Sequence, residues 1–530
     1  MAELRTILSG ATVIDGTGQR RYLGDVWIEG KYIARITDVA ESHPPNWTVI
    51  PIEGRIVSPG FIDVHSHADN AAFLNEPDCS KIFQGVTTEV TGNCGDSLAP
   101  RNAKFAADLR AYAERLFPPT PWHGTTFRDY WAEAQTRGLV TNVAPLVGQG
   151  TLRILAMGLD DRPPTRAERH VMVDALRQSL DDGAFGLSTG LIYPPGLFTA
   201  TEEIVELATC LGNRVYATHM RNEADNLIAS VQEALNIGRA AHCPVQISHH
   251  KACGRENWGK TATTLSLVQA ARQEGQNVRL DVYPYTASST VLTSCLPPWV
   301  EVGGPSDILR RLTDFHEHQR IFEDIQTGLA GWENELGSVG AEGILISATP
   351  DHRWEGQNLA EISQAMGLDP VAAMLRILVE SNLRVSMIAF SMDEGDLQRV
   401  MTFPWTMIGS DGLPPGIGGK PHPRQFGTFP RVLGTYVRER QWMDLETAVY
   451  KMTGLAADTF GLGDRGVIRE DMVADLVVFD FDVIADRGQY AAEPIPPIGI
   501  DAVYLAGQCV VQDGRWQGIK IGQRLNASTG

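Results

Sequence analysis

Apolar residues follow two rhythms along this chain, and the rhythm changes near both ends. Between residues 4 and 55, short runs alternate with turns: Ala11-Thr12-Val13-Ile14 precedes Asp15-Gly16, and Asp25-Val26-Trp27-Ile28 precedes Glu29-Gly30. Runs of that length bounded by Gly and Asp predict antiparallel strands. The same texture returns at residues 474–480, 500–505 and 509–511. The pattern therefore predicts a small discontinuous β-sandwich, built from residues 1–55 and 460–530.

The middle of the chain reads differently. Continuous apolar, β-rich runs occur at residues 56–65, 85–94, 141–148, 184–190, 214–219, 244–249, 278–283 and 405–411. Between them, stretches such as 167–181, 202–211, 226–241 and 264–274 carry helical periodicity. Strand–helix alternation of this kind predicts parallel strands joined by crossover helices, and eight such strands are the number that closes an α/β, TIM-like (β/α)8 barrel. Residues 56–459 form that expected catalytic barrel. Residues 286–404, between the seventh and eighth runs, are too many for one crossover and predict an inserted subdomain that covers the mouth of the barrel.

Composition narrows the class without naming a chemistry. The 530 residues are 43% hydrophobic and 21% charged, which suits a large globular core. A formal charge of −19 argues against nucleic acid or an anionic membrane surface as partner. The seven cysteines contain no Cys-x-x-Cys pair, which predicts reduced thiols and a cytoplasmic location. The N-terminus lacks a basic segment followed by a long apolar run, so neither secretion nor membrane insertion is expected. Oligomeric state stays open between a monomer and a small homo-oligomer.

Chemistry concentrates where the parallel runs end. His65 and His67 close the first, in Phe-Ile-Asp-Val-His-Ser-His, and alternation along a strand turns both the same way. Cys94 closes the second in Thr-Gly-Asn-Cys-Gly, His219 the fifth, His249 the sixth in Ser-His-His-Lys, and Asp411 the eighth in Gly-Ser-Asp-Gly. Taken singly, each has a plain structural explanation: a buried thiol, a core histidine, a helix cap. Together at one end of a barrel they make a donor set that zinc favours. His249 is preferred to His250 because neighbours on a strand face opposite sides.

These segments also carry a resemblance that spans nearly the whole chain. Pro-Gly-Phe-Ile-Asp-Val-His-Ser-His, Gly-Val-Thr-Thr-Glu-Val-Thr-Gly-Asn-Cys-Gly, Gly-Leu-Ser-Thr-Gly-Leu-Ile-Tyr-Pro-Pro-Gly and Tyr-Pro-Tyr-Thr-Ala-Ser-Ser-Thr resemble the amidohydrolase superfamily, and within it the D-aminoacylases (N-acyl-D-amino-acid deacylases). The resemblance implies one tightly bound zinc on Cys94, His219 and His249, and a possible second, weaker site on His65, His67 and Cys94, with Asp411 beside both. It also implies that Asp411 moves the proton from water to the leaving amine. Lys251 and Arg424, helped by Tyr283 and Ser289, would then bind the α-carboxylate of a small N-acyl-D-amino acid. Relatives often carry His where this chain has Gln149, which is not expected to be a ligand. Residues 286–300 contain no Lys or Arg, which favours neutral or apolar side chains. The alternative is a related amidohydrolase acting on N-acyl-D-glutamate or -aspartate, D-peptides or a cyclic amide.

Overall fold

The computed structural model describes residues 4–39 and 42–527. Each of the eight predicted runs contains a parallel strand. Phe61–Asp63, Val86–Thr91 and Asn142–Pro145 form one hydrogen-bonded set; Val147–Gly148, Gly186–Gly190, Val215–His219, Val245–Ile247, Val278–Val282 and Thr406–Ile408 form the next. Asn142–Pro145 and Val147–Gly148 are one strand interrupted at Leu146, whose N–H still reaches Thr91 O at 2.9 Å. The last strand meets the first through a parallel bridge between Ser66 and Gly412. The ring thus closes at the site end, with Asp411 N–H on His65 O at 2.8 Å and His67 N–H on Gly412 O at 3.1 Å.

The amphipathic crossovers dictate the rest. Arg166–Asp181 opens with a capping box from Thr165 and Glu168 and buries Met172, Val173, Leu176 and Leu180. Leu227–Ala241 buries Val231, Ala234, Leu235 and Ile237 on one face. With the strands, these faces form one large apolar cluster, while Ile62, Val64, Val90, Ala144, Phe185, Val215 and Met407 form a separate one.

Strands from the two chain ends share one sheet, but they divide the sequence differently from the expected bounds. The run 56–65 breaks at Gly60: Ile56–Pro59 pairs with Leu476–Phe479 in the terminal sheet, and only Phe61–Asp63 joins the ring. A Cβ at Gly60 would lie 2.3 Å from the Thr87 side chain, so the close approach requires glycine there. The expected sandwich is hydrogen-bonded as one continuous sheet of nine strands. Register shifts between Leu8 and Ala11 and between Val478 and Phe479 mark bulges, which add twist and let one sheet do the work expected of two. Its apolar face buries Leu8, Val26, Ile28, Ile33 and Val478.

The segment after the seventh strand holds its own three-stranded antiparallel sheet, Ser288–Val291, Ile344–Ala348 and Ser386–Ala389, with a separate apolar core. Helix Glu394–Thr402, inside the expected insertion, packs on Thr261–Gln273 and on the last strand, so it serves as the crossover. Residues 517–527 return to the end of the ring opposite the site: Val143 N–H bonds Gln523 O and Leu525 N–H bonds Val143 O, at 2.9 and 2.8 Å.

Candidate metal centre

The strand ends bring together the residues that the sequence singled out. His65, His67, Cys94 and Asp411 form one group whose donor atoms all lie within 4.8 Å of one another, and Cys94, His219 and His249 form a second. Cys94 is common to both. Its Sγ lies 3.3 Å from His65 Nε2 and 3.6 Å from His249 Nε2. Asp411 Oδ1 lies 3.4 Å from His65 Nε2 and 3.3 Å from His67 Nε2. All of these residues are buried.

Local backbone delivers them at a cost. Cys94, His249 and Asp411 all have left-handed backbones, with φ of 53°, 34° and 49°. Each sits two or three residues past the end of a strand, where the chain turns sharply and swings the side chain inward. A non-glycine residue there costs on the order of 1–3 kcal/mol, and such strain clusters at functional sites. Around Cys94 glycine is required. A Cβ at Gly190 would lie 2.0 Å from Cys94 O, and one at Gly95, itself at φ +78°, would lie 2.7 Å from Gly190 N.

The donor set fits a divalent, thiophilic ion. Burial lowers His219 and His249 well below the ordinary histidine range, keeping them as the neutral imidazoles a metal needs. Both ring nitrogens of His219 are buried without a hydrogen-bond partner, as is Nδ1 of His67. Burial also pushes the Cys94 thiol up to about 11, so a cation must be present for it to serve as thiolate. Buried imidazoles with unpartnered nitrogens beside a thiol are a donor chemistry that suits zinc.

Comparison with known proteins identifies the family. The model of the amidohydrolase family matches residues 48–267 and 340–511. The chain belongs to the amidohydrolase family. It is 37% identical to an N-acyl-D-aspartate deacylase from Alcaligenes xylosoxydans xylosoxydans over 98% of its own length and 94% of that protein. It is also 37% identical to a D-aminoacylase from the same organism, covering 98% of this chain and 97% of the relative. Among solved structures it resembles N-acyl-D-glutamate deacylase from Bordetella bronchiseptica, complexed with zinc and a phosphonate mimic of the tetrahedral intermediate. That match has a TM-score of 0.81 and 36% identity, covering 99% of this chain and 100% of the other. Membership at this level makes the protein a metal-dependent hydrolase of the D-aminoacylase group.

The amidohydrolase site also shows where the remaining predicted residues lie. Arg424 is buried, and its Nη1 lies 2.9 Å from Asp411 Oδ2 while Nη2 donates to Ser289 O at 2.8 Å. Burial would raise the Asp411 carboxyl, but Arg424, His65 and His249 outweigh it and hold the group well below the usual range. Lys251 and Arg424 flank the Tyr283 ring, at 5.9 and 4.6 Å from its centroid. The Ser289 hydroxyl donates to Met387 O, and the Tyr283 hydroxyl contacts Met392 sulfur. His250 points away, with Nε2 on Thr264 Oγ1 at 2.7 Å. Gln149 is buried against Thr199 and Glu203, away from both donor groups. His422 braces the start of helix Arg424–Arg431, taking the Arg424 N–H on Nδ1 and meeting Ala287 O with Nε2.

Two buried carboxylates escaped the sequence reading. Asp281 Oδ1 lies 3.2 Å from His65 Nδ1 and accepts the His249 N–H at 2.8 Å. Glu223 Oε1 lies 3.1 Å from His249 Nδ1, and its Oε2 lies 2.5 Å from Lys251 Nζ. Each had a signal: Asp281 is a carboxylate inside an apolar strand, and Glu223 follows the candidate ligand His219 by four residues.

Proposed function

We propose that the protein hydrolyses the amide bond of N-acyl-D-amino acids with uncharged side chains, releasing a carboxylate and a free D-amino acid. The observation that carries this reading is the pair of donor groups sharing Cys94, with Asp411 held between the histidines and Arg424. The eight-stranded ring acts as a (β/α)8 barrel with the site at the C-terminal strand ends. Cys94, His219 and His249 would hold the tight zinc, and His65, His67 and Cys94 the weaker one; Asp411 borders both. When bound, zinc supplies Lewis acidity toward the amide carbonyl and toward water. The chain's own groups do the rest. Asp411 Oδ1 takes the proton released as the amide is attacked and delivers it to the departing nitrogen. Arg424 Nε, buried and without a partner, is a donor for the substrate α-carboxylate, and Lys251 adds a second positive charge.

The cavity above the centre, about 910 Å³ with its open mouth, supports the choice of side chain. Its lining includes Ser288, Ser289, Thr290, Val291, Glu333 and Glu335 from the segment after the seventh strand, which we read as the cover of the site. Burial pushes Glu333 up to about 8 and Glu335 up to about 7. The cation Arg115 also lines it but is paired with Glu301 at 3.1 Å. A second substrate carboxylate would enter this wall without a cation to receive it. The seven unpaired cysteines fit a cytoplasmic enzyme.

The test is a panel of N-acetyl-D-methionine, N-acetyl-L-methionine, N-acetyl-D-aspartate and N-acetyl-D-glutamate with the zinc-loaded protein. Release of D-methionine at the highest kcat/KM is expected. Preference for either acidic substrate would overturn the side-chain assignment, and no D-selective release from any of them would overturn the activity.

A further inference from the structure

Glu223 stands at a junction that the proposed chemistry has not used. It lies four residues past His219, beyond the end of Val215–His219, and is 1% exposed. Its main chain is clamped from two sides: the N–H donates to Glu333 Oε2 at 2.6 Å, and the carbonyl accepts the Cys253 N–H at 2.8 Å. Its backbone is therefore held at the site by both of its polar groups. One oxygen faces His249 Nδ1 at 3.1 Å; the other is 2.5 Å from Lys251 Nζ and 3.6 Å from His219 Nε2.

Lys251 has a competing contact. Its Nζ is also 2.8 Å from His249 Nδ1. An ammonium has only protons to offer, so that contact requires Nδ1 to be a bare acceptor with the ring proton on Nε2. Nε2 is the atom that faces Cys94, and an imidazole that ligates through Nε2 must carry its proton on Nδ1. The lysine contact and metal ligation thus ask for opposite tautomers of His249. Glu223 can accept the Nδ1 proton and, with its other oxygen, hold Lys251 without His249.

We propose that Glu223 is the positioning residue that fixes His249 in its metal-binding tautomer and draws Lys251 off the imidazole toward the substrate. The inference rests on His249 being a zinc ligand. A metal held on Nε2 and a lysine on Nδ1 would exclude one another, so with the site filled Lys251 would be left to Glu223 and to the carboxylate of the substrate. The two events are linked through one side chain.

Glu223→Gln and Lys251→Met, with zinc affinity measured by chelator competition alongside KM and thermal unfolding, test this. Glu223→Gln is expected to weaken zinc by about 10- to 100-fold, as loss of an outer partner of a ligating histidine does. Lys251→Met should bind zinc at least as tightly as the unaltered protein while raising KM. Glu223→Asp, which keeps the charge at shorter reach, should fall between Glu223→Gln and the unaltered protein and covers the case in which Glu223→Gln does not fold. Zinc held equally tightly by Glu223→Gln would overturn the inference, as would weakening of zinc by Lys251→Met to the same degree, since Glu223 would then act only through the lysine. If the unaltered protein itself fails to bind zinc, the metal-site reading falls instead.

Discussion

The two donor groups that share Cys94 are built from the same kinds of residue and differ in how far the protein alone satisfies them. On one side, His65 has Asp281 at Nδ1 and Asp411 at Nε2, His67 has Asp411, and Asp411 has Arg424. Among His65, His67 and Asp411, only Nδ1 of His67 is left without a partner. On the other side both nitrogens of His219 lack a hydrogen bond, and His249 Nε2 has only the sulfur of Cys94. A buried polar group without a partner costs roughly 1–3 kcal/mol. The demand for a metal is thus concentrated on His219 and His249, which is a physical reason for the unequal affinity proposed for the adjoining positions.

The largest expected effect breaks that comparison at its needy side. His219→Ala should abolish tight zinc binding and lower kcat/KM by at least about 10³-fold, several kcal/mol of transition-state stabilisation; metal content after dialysis and steady-state rates check it. Asp411→Asn should lower kcat by about 10²- to 10⁴-fold, the usual worth of a positioned acid–base group, while the tight zinc stays bound. Loss of that metal with Asp411→Asn would show that the carboxylate belongs to the primary ligand set. His67→Ala, on the satisfied side, should keep one zinc per chain and lose only about 10- to 100-fold in activity. Equal zinc loss in His67→Ala and His219→Ala would abolish the asymmetry.

The smallest effect lies far from the metal and contrasts the site with the terminal sheet. Arg21 pairs with Glu446 at 2.8 Å, and the Arg21 hydrogen bond lowers the Glu446 carboxyl from its ordinary 4.5 to about 2. A depressed carboxyl stabilises the folded state above its unfolded value, and that contribution is lost as pH falls from about 4.5 toward 2. Because Arg21 is 39% exposed, solvent screening keeps the contribution below about 1 kcal/mol. Arg21→Gln should accordingly flatten the acid limb of stability, read as the denaturant midpoint across that pH window, with no change in zinc content.

The donor residues were legible in the sequence because strand ends are: an apolar run that stops at His, Cys or Asp states both the element and the direction of the side chain. The runs ending at Asp411 and Cys94 gained that meaning only together with the histidine-ended runs, and both residues turn inward on left-handed backbone just beyond their strands. Glu223 was not legible in the same way, since it sits in a loop held by partners distant in sequence: Glu333, more than a hundred residues later, accepts its N–H, and the Cys253 N–H donates to its carbonyl. The break at Gly60 had a local mark in Pro59-Gly60, but the pairing of Ile56–Pro59 with Leu476–Phe479 is a tertiary choice. For the terminal sheet, strand existence was readable and layering was not, because the bulges that join its strands arise from register between distant segments. Arg424 entered only through the resemblance, and its contact with Asp411 depends on the helix it opens, which turns it inward.

The return of residues 517–527 to the far end of the ring bears on how this protein can be shortened, fused or labelled. The Leu525 side chain packs against the inner cluster that includes Val90 and Phe185, and a Cβ at Gly522 would lie 2.1 Å from Thr141 O. A chain cut after Trp516 would retain every strand of the terminal sheet and every donor of the metal site, yet uncap the ring from below. The tail acts as a bottom seal, so a fusion partner on that side needs a spacer beginning beyond Ala527.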